Sequence, residues 1–141
     1  MKKLKSVDYL VVHCSATTPT MDIGKAEIDK WHRKRKMLKI GYHYVIRRDG
    51  VLEEGRAHDV MGAHVRGWND VSIGICMVGG IDKDGTPEDN YTDKQKSALR
   101  SLLDYLKGHH PDAKVQGHRD FPGVAKACPC FDAGEWYAQG E

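Results

Sequence analysis

Histidine and cysteine are the residues of this sequence whose types and positions could support chemistry. The 141 residues include eight histidines and four cysteines, and a neutral imidazole both binds metals and carries protons near neutral pH. His13 ends one apolar run, His118 ends a shorter one, and Cys128 follows in a segment that contains prolines. Zinc accepts two imidazoles and one thiolate, and three protein ligands leave its fourth position for water. The residue types therefore indicate a catalytic metal site, although the long separation of His13 from His118 is not a motif by itself.

The other three cysteines are better explained by packing than by disulfide bonds. Cys76 lies inside an apolar run, where a free cysteine behaves as a small apolar residue, and a chain of this length builds a core without disulfides. Cys14 follows His13 and therefore points to the opposite face of its strand. Cys128 and Cys130 could ligate one metal together, but their spacing is tighter than that of zinc knuckles, so we favour Cys128 alone.

The first elements of the chain place His13 at the end of a strand. Residues 8–14 are mostly β-branched and aromatic, which indicates a buried strand. Residues 23–36 favour a helix with Asp22 as its N-cap. The inward face of this helix, by its spacing, consists of Ile28, Trp31 and His32.

A hairpin and a second buried strand follow. Residues 42–48 and 51–55 flank Asp49-Gly50, which predicts a two-residue type I′ turn between two antiparallel strands. Residues 71–78 form another apolar run that predicts a strand, and residues 79–90, rich in glycine and aspartate, predict a loop.

The last third of the chain contains the best-marked helix. Thr92 and Gln95 form a capping box, and Gly108 stands where a C′ glycine is expected. The apolar face of this helix consists of Leu99, Leu102, Leu103 and Leu106. Residues 114–117 predict a short strand that ends at His118, and Asp132 with Glu135 caps a short final helix.

Strands that alternate with helices predict an α/β fold: one domain over residues 1–141, with a mixed central β-sheet flanked by helices. In such sheets, ligands bind in the crevice beyond the carboxyl ends of the parallel strands. His13 and His118 fall at such ends, and the loop that follows His118 can return Cys128 to the same edge. We therefore expect a zinc site in this crevice.

Composition excludes several classes of function. A net charge of +2 and a pI near 8.3 give no electrostatic reason to expect a nucleic-acid partner, and the apolar runs are too short to span a membrane. The basic residues 1–7 predict a mobile N-terminus without the apolar stretch of a secretory signal.

Four segments resemble the zinc-dependent N-acetylmuramoyl-L-alanine amidases of the peptidoglycan-recognition and phage-lysozyme type, the type 2 amidases. These segments are VVHCSAT at 11–17, IGYHYVIRRDG at 40–50, GAHVRGWNDVSIGIC at 62–76 and KACPCFD at 126–132. They stand in the family's order from the first strand to the last helix, so the resemblance covers nearly the whole domain.

The resemblance implies a role for each candidate site residue. The ligands of one zinc ion are His13, His118 and Cys128, and the catalytic residues are Tyr42 and Lys126. An ammonium or a phenol beside the metal would stabilise the oxyanion of the tetrahedral intermediate by about 3–4 kcal/mol. The resemblance places the substrate-binding groove at a loop with His64, Trp68 and Asn69. The residues alone also allow a structural interpretation of each group. Tyr42 would then be a packed side chain, Lys126 a solvated charge, and the 64–69 loop simply exposed.

The implied activity is zinc-dependent hydrolysis of the amide between N-acetylmuramic acid and L-alanine in peptidoglycan. A phage or prophage endolysin, made in the cytoplasm and acting on the cell wall after release, fits a chain that shows no signal peptide; a bacterial recycling enzyme fits as well. The alternatives are a non-hydrolytic peptidoglycan-binding or regulatory protein, including one that binds a phage RNA polymerase through its basic N-terminus, and a zinc amidase acting on another amide. Cys128 argues against the binding module. We expect a monomer.

Overall fold

A five-stranded mixed sheet forms the centre of the molecule. In the computed structural model, which describes residues 1–140, the strands are β1 (Tyr9–Cys14), β2 (Tyr44–Ile46), β3 (Leu52–Glu54), β4 (Ser72–Met77) and β5 (Lys114–Gly117). Their order across the sheet is β3-β2-β4-β1-β5. β1 pairs in parallel with β4 and β5, β2 is parallel to β4, and β3 is antiparallel to β2. The expected mixed α/β sheet is confirmed.

Three α-helices flank the sheet: α1 (Lys25–Lys34), α2 (Asp93–His109) and α3 (Ala133–Gln139). Side chains of β1 alternate between its faces. Leu10 and Val12 pack in the cluster that contains the leucines of α2, whereas Val11 packs in a separate cluster with Val65 and Phe121. His13 has the same parity as Val11, so it lies on the side of the sheet away from α2.

Helix α2 begins as its sequence predicts, but its C-cap lies three residues later than expected, at position 110 rather than 107. Thr92 Oγ1 accepts the Gln95 amide at 3.1 Å, and Gln95 Oε1 accepts the Thr92 amide at 3.0 Å, so the capping box is confirmed. The prediction for Gly108 was wrong, because the helix runs through it and His110 is the C-cap, its amide donating to the Leu106 carbonyl. Among residues 1–140, no helix is long and apolar enough to cross a membrane.

Helix α1 differs from its prediction at its start and on its buried face. Its N-cap is Gly24, not Asp22, because the Gly24 amide donates to Glu27 Oε1 at 2.8 Å. Ile28 and His32, four residues apart, form the buried stripe, but Trp31 lies to one side of it and is 36% exposed. The inward orientation expected for Trp31 was therefore wrong.

The hairpin between β2 and β3 is formed by a three-residue loop. The Gly50 amide donates to the Arg47 carbonyl, and the Arg47 amide donates to the Val51 carbonyl, both at 2.9 Å. A type I′ turn needs positive φ at both central residues, but of Asp49 and Gly50 only Gly50 has it, at 86°. The loop is therefore a type I turn followed by a glycine bulge, and the predicted two-residue turn was wrong.

The basic N-terminus, for which we expected a mobile tail, lies against the 59–70 segment. The Leu4 amide donates to the Asp59 carbonyl and the Lys5 amide to the Asp70 carbonyl, both at 2.8 Å. The Lys3 ammonium also forms an exposed ion pair with Asp59 at 2.8 Å. Backbone hydrogen bonds rather than this ion pair hold the segment, because exposed pairs contribute little.

Candidate metal centre

Two histidines reach the same edge of the sheet from neighbouring parallel strands. His13 is the fifth residue of β1 and is 1% exposed. His118 directly follows β5 and begins a short 3₁₀ helix, His118–Asp120, in which Asp120 Oδ2 accepts the Gly117 amide at 2.9 Å. The two imidazole ring centres are 4.6 Å apart. Both histidines therefore lie at the carboxyl ends of neighbouring parallel strands, where the sequence placed them.

Cys128 returns to this edge on the loop between the 3₁₀ helix and α3. The Arg119 amide donates to the Cys128 carbonyl at 2.9 Å, and the Tyr91 hydroxyl donates to the Pro129 carbonyl at 2.7 Å. The Cys14 amide donates to Cys128 Sγ at 2.9 Å. This hydrogen bond favours the thiolate, which is the form of cysteine that binds metals. The Cys14 thiol and burial act more strongly in the other direction and raise the pKa of Cys128 above its usual value, so the charge of a bound metal is what would make it a thiolate.

The ligand atoms of His13, His118 and Cys128 all lie within 4.8 Å of one another, and they are the one such group of three found among residues 1–140. Burial, then the neighbouring His64 and His118, lowers the pKa of His13 well below its usual value. Burial lowers the pKa of His118, and the charge of Lys126 lowers it further. Both rings are therefore neutral at pH 7, as metal ligands must be. This donor set fits zinc.

The two residues expected to be catalytic lie next to this group. The Tyr42 ring centre is 5.0 Å from that of His13, and burial raises the pKa of its hydroxyl well above the usual value, so the phenol stays protonated and can donate a hydrogen bond. Lys126 is exposed, and its charge acts on both His13 and His118. The site therefore has one half-buried tyrosine and one solvent-facing ammonium.

The loop expected to bind substrate is held by contacts within the protein. Asn69 Oδ1 accepts the backbone amides of His64 and Val65, at 2.8 and 2.9 Å. The half-buried Trp68 ring lies edge-on to Tyr9, with the ring centres 5.5 Å apart. His64 Nδ1 lies 2.8 Å from His13 Nε2. The loop thus adjoins the candidate metal centre through His64.

Sequence reasoning missed two contacts of the predicted ligands. The contact of His64 with His13 joins residues 51 positions apart, and the Cys14 amide reaches Cys128 across 114 positions. No local pattern in the sequence encodes either contact. His43, which follows Tyr42 in the chain, is 0% exposed; its Nδ1 accepts the Gly74 amide at 3.0 Å, and its Nε2–H donates to the Val60 carbonyl.

The fold and the site together define a class of protein. It is a mixed α/β protein in which two histidines and one cysteine at the strand ends can hold a metal and leave one position open. Comparison with known proteins identifies the family, because residues 3–131 match the family model of N-acetylmuramoyl-L-alanine amidase. The chain belongs to this family and is an amidase, and the resemblance drawn from its four motifs is confirmed.

Relatives and solved structures agree with this assignment. The chain is 47% identical over 139 residues to an endolysin of Enterobacteria phage K11, covering 99% of this chain and 91% of the relative. It is 42% identical over 140 residues to an endolysin of Escherichia phage T7, with the same coverage. The structure of an endolysin from a Thermus scotoductus MAT2119 bacteriophage matches with a TM-score of 0.80 and 26% identity, over 99% of this chain and 87% of that one.

Proposed function

We propose that this amidase depends on zinc and cleaves the amide between N-acetylmuramic acid and L-alanine in peptidoglycan. The observation that carries the proposal is the convergence of His13, His118 and Cys128 within 4.8 Å at the end of the parallel strands. Three protein ligands of this kind leave one position open, as a catalytic site requires. A module that binds peptidoglycan without hydrolysing it would have no use for three metal-binding residues around an open coordination position.

The residues around the three ligands supply complementary functions. When bound, zinc polarises an amide carbonyl and lowers the pKa of water to about 7. The Tyr42 phenol, protonated and 5.0 Å from His13 between ring centres, donates a hydrogen bond toward the reacting amide. Lys126 brings its ammonium to the open side of the site, where negative charge develops on the carbonyl oxygen. Both groups strengthen their interaction as that charge appears.

The 64–69 loop is our candidate for binding the glycan and the stem peptide. It adjoins the metal ligands through His64, and the half-buried Trp68 ring retains exposed surface on which a sugar can pack. The hydrogen bonds from two backbone amides to Asn69 fix the shape of this loop before substrate arrives. Such preorganisation lowers the entropic cost of binding.

We further propose that the protein acts as an endolysin on the bacterial cell wall. Support comes from the phage relatives, which are named endolysins and align with 99% of this chain and 91% of their own length.

Digestion of purified peptidoglycan tests the proposal. The metal-free protein and the protein loaded with one equivalent of zinc are each incubated with peptidoglycan, and the new end group is identified. We expect free L-alanine amines only from the zinc-loaded protein. Equal release by the metal-free protein would contradict the zinc dependence, a new reducing sugar end would contradict the bond assignment, and binding without release would indicate a recognition module.

A further inference from the structure

His13 has a contact that its role as a ligand does not by itself explain. Its Nε2 lies 2.8 Å from His64 Nδ1, and the two rings are nearly perpendicular, at 82°. On the far side of the His64 ring, Nε2 lies 3.3 Å from Ser72 Oγ. Ser72 Oγ in turn lies 2.7 Å from the Trp68 carbonyl oxygen. These four groups form one chain of hydrogen bonds that ends on a backbone carbonyl.

The direction of every hydrogen bond in this chain follows from its last member. A carbonyl oxygen can only accept, so the one proton of the Ser72 hydroxyl lies toward Trp68. Ser72 Oγ must then accept from His64 Nε2–H. A neutral imidazole carries a single N–H, which leaves His64 Nδ1 as an acceptor for His13 Nε2–H. The remaining nitrogen of His13, Nδ1, has a free lone pair.

The His64 ring is held in this position by packing as well. A Cβ atom at Gly74 of β4 would lie 2.6 Å from both Cγ and Nδ1 of the ring, and one at Gly62 would lie 2.8 Å from its Cδ2. Only glycine at these positions leaves room for the ring to approach the sheet. Asn69 holds the backbone amide of His64 itself. Packing and the backbone hydrogen bond therefore hold the His64 ring in one position, with its acceptor nitrogen Nδ1 toward His13.

We propose that His64 is a positioning residue for the metal centre, and that together with Ser72 it fixes the tautomer of His13 so that Nδ1 binds the metal. His64 acts through His13 and does not need to touch substrate. Ligand histidines depend on a partner of this kind for their tautomer and ring orientation, and loss of that partner typically weakens metal affinity by about 10–100-fold. The metal role of His13 rests on the proposed function, whereas the tautomer can be measured without metal.

The first test is the tautomer in the metal-free protein. Two-dimensional ¹H–¹⁵N NMR of the imidazole rings distinguishes protonated from bare nitrogens. We expect a proton on Nε2 of both His13 and His64 and a bare Nδ1 in each. A proton on Nδ1 of His13 in the folded protein would overturn the proposal. This outcome is independent of whether the proposed enzymatic function is correct.

The second test is zinc affinity, measured by competition with a chromogenic chelator. His64→Asn keeps an acceptor oxygen near the position of Nδ1, while His64→Leu has a similar volume and no acceptor. We expect His64→Leu to lose about 10–100-fold in zinc affinity and His64→Asn to stay within a few-fold of the parent. Equal affinity in the two variants, whether retained or lost, would overturn the proposal. If the parent itself binds no zinc, the proposed function fails and the tautomer measurement decides the inference.

Ser72→Ala covers the case in which His64→Leu does not fold. It removes the hydroxyl oxygen that lies 3.3 Å from His64 Nε2 and introduces no bulky group in the sheet, while the contact of His64 with the Ser72 backbone stays. We expect part of the His64 population to move its proton to Nδ1, with a matching change at His13 in the same NMR spectrum. Unchanged tautomers at both rings in Ser72→Ala would show that the hydroxyl does not set them, and would overturn the proposal.

Discussion

Gly74→Ala tests how tightly the sheet and the candidate metal centre fit together. The added Cβ would lie 2.6 Å from two atoms of the His64 ring, whereas ordinary contacts begin at 3.4 Å, so the ring must retreat by about 0.8 Å. The backbone tolerates alanine here, because Gly74 lies in β4 without a positive φ. The same retreat lengthens the 2.8 Å contact of His64 with His13 toward about 3.6 Å, which is no longer a hydrogen bond.

Two measurements follow from this geometry. Overpacking of this size costs about 1–3 kcal/mol of the free energy of unfolding, which thermal or urea unfolding of the metal-free protein reports. Zinc affinity falls by about 10-fold or more, because His13 loses its partner. The matched control is Gly108→Ala, since within residues 1–140 no atom outside the neighbouring turns of its own helix lies within 4 Å of that Cβ position. In helix α2 this change stabilises the fold by about 0.5–1 kcal/mol and leaves zinc affinity unchanged.

A folded Gly74→Ala protein with the zinc affinity of the parent would refute the reasoning, since it would show that the His64 ring can move without consequence for His13. A loss of affinity in Gly108→Ala as well would show that the assay reports global stability rather than the site.

Four further predictions address the ligands, the reaction, the groove and the core. Cys128→Ser should lose bound zinc by metal analysis of the folded protein, because a hydroxyl is a poor ligand beside a thiolate; metal content equal to the parent's would remove Cys128 from the ligand set. Lys126→Ala should lower kcat by about 10²–10³ with little change in KM, as expected for a group that meets the developing oxyanion, and Tyr42→Phe should act in the same direction; a rise in KM alone would assign Lys126 to ground-state binding. Trp68→Ala should weaken binding of peptidoglycan fragments in calorimetry while zinc stays bound; loss of zinc too would assign the ring to packing. Gln95→Leu should cost about 1–3 kcal/mol in urea unfolding for each backbone group left unpaired, because its amide holds the Val78 carbonyl at 2.8 Å and the Thr92 amide at 3.0 Å; an unchanged midpoint would show that these groups find other partners.

Elements whose signals are local could be predicted from the sequence. The buried strands β1 and β4 are continuous apolar runs, and the start of α2 is encoded within four residues by Thr92 and Gln95. Asp132 likewise caps α3 by accepting the Glu135 amide at 3.0 Å. In the two helices, side chains close in sequence satisfy the first backbone amides, so no distant residue is needed to define their starts. The strands are marked by their apolar composition, although their backbone pairs with distant strands.

Features that depend on distant residues could not be predicted. The first amide of α1, at Lys25, donates to Glu53 of β3, which is 28 positions away and joins Glu27 in satisfying the backbone at the start of the helix. The metal centre shows the same division. Residue types, strand ends and the proline-containing loop indicated His13, His118 and Cys128, and the resemblance implied the same three residues. The contact of His64 with His13, in contrast, emerged only when the fold brought the two residues together.

The metal centre joins parts of the chain that are far apart in sequence. His13 belongs to the first strand and Cys128 to the loop before the last helix, so an ion held by both is a removable cross-link between the beginning and the end of the domain. At a free zinc concentration of about 100 times Kd, this link would add about 2.7 kcal/mol to the free energy of unfolding. When a chelator removes it, we expect the loop that carries Cys128, which contacts such as that of Tyr91 with Pro129 still hold, to be cleaved by a protease more readily than in the zinc-bound protein. The availability of zinc would then determine how long the enzyme survives as well as whether it works.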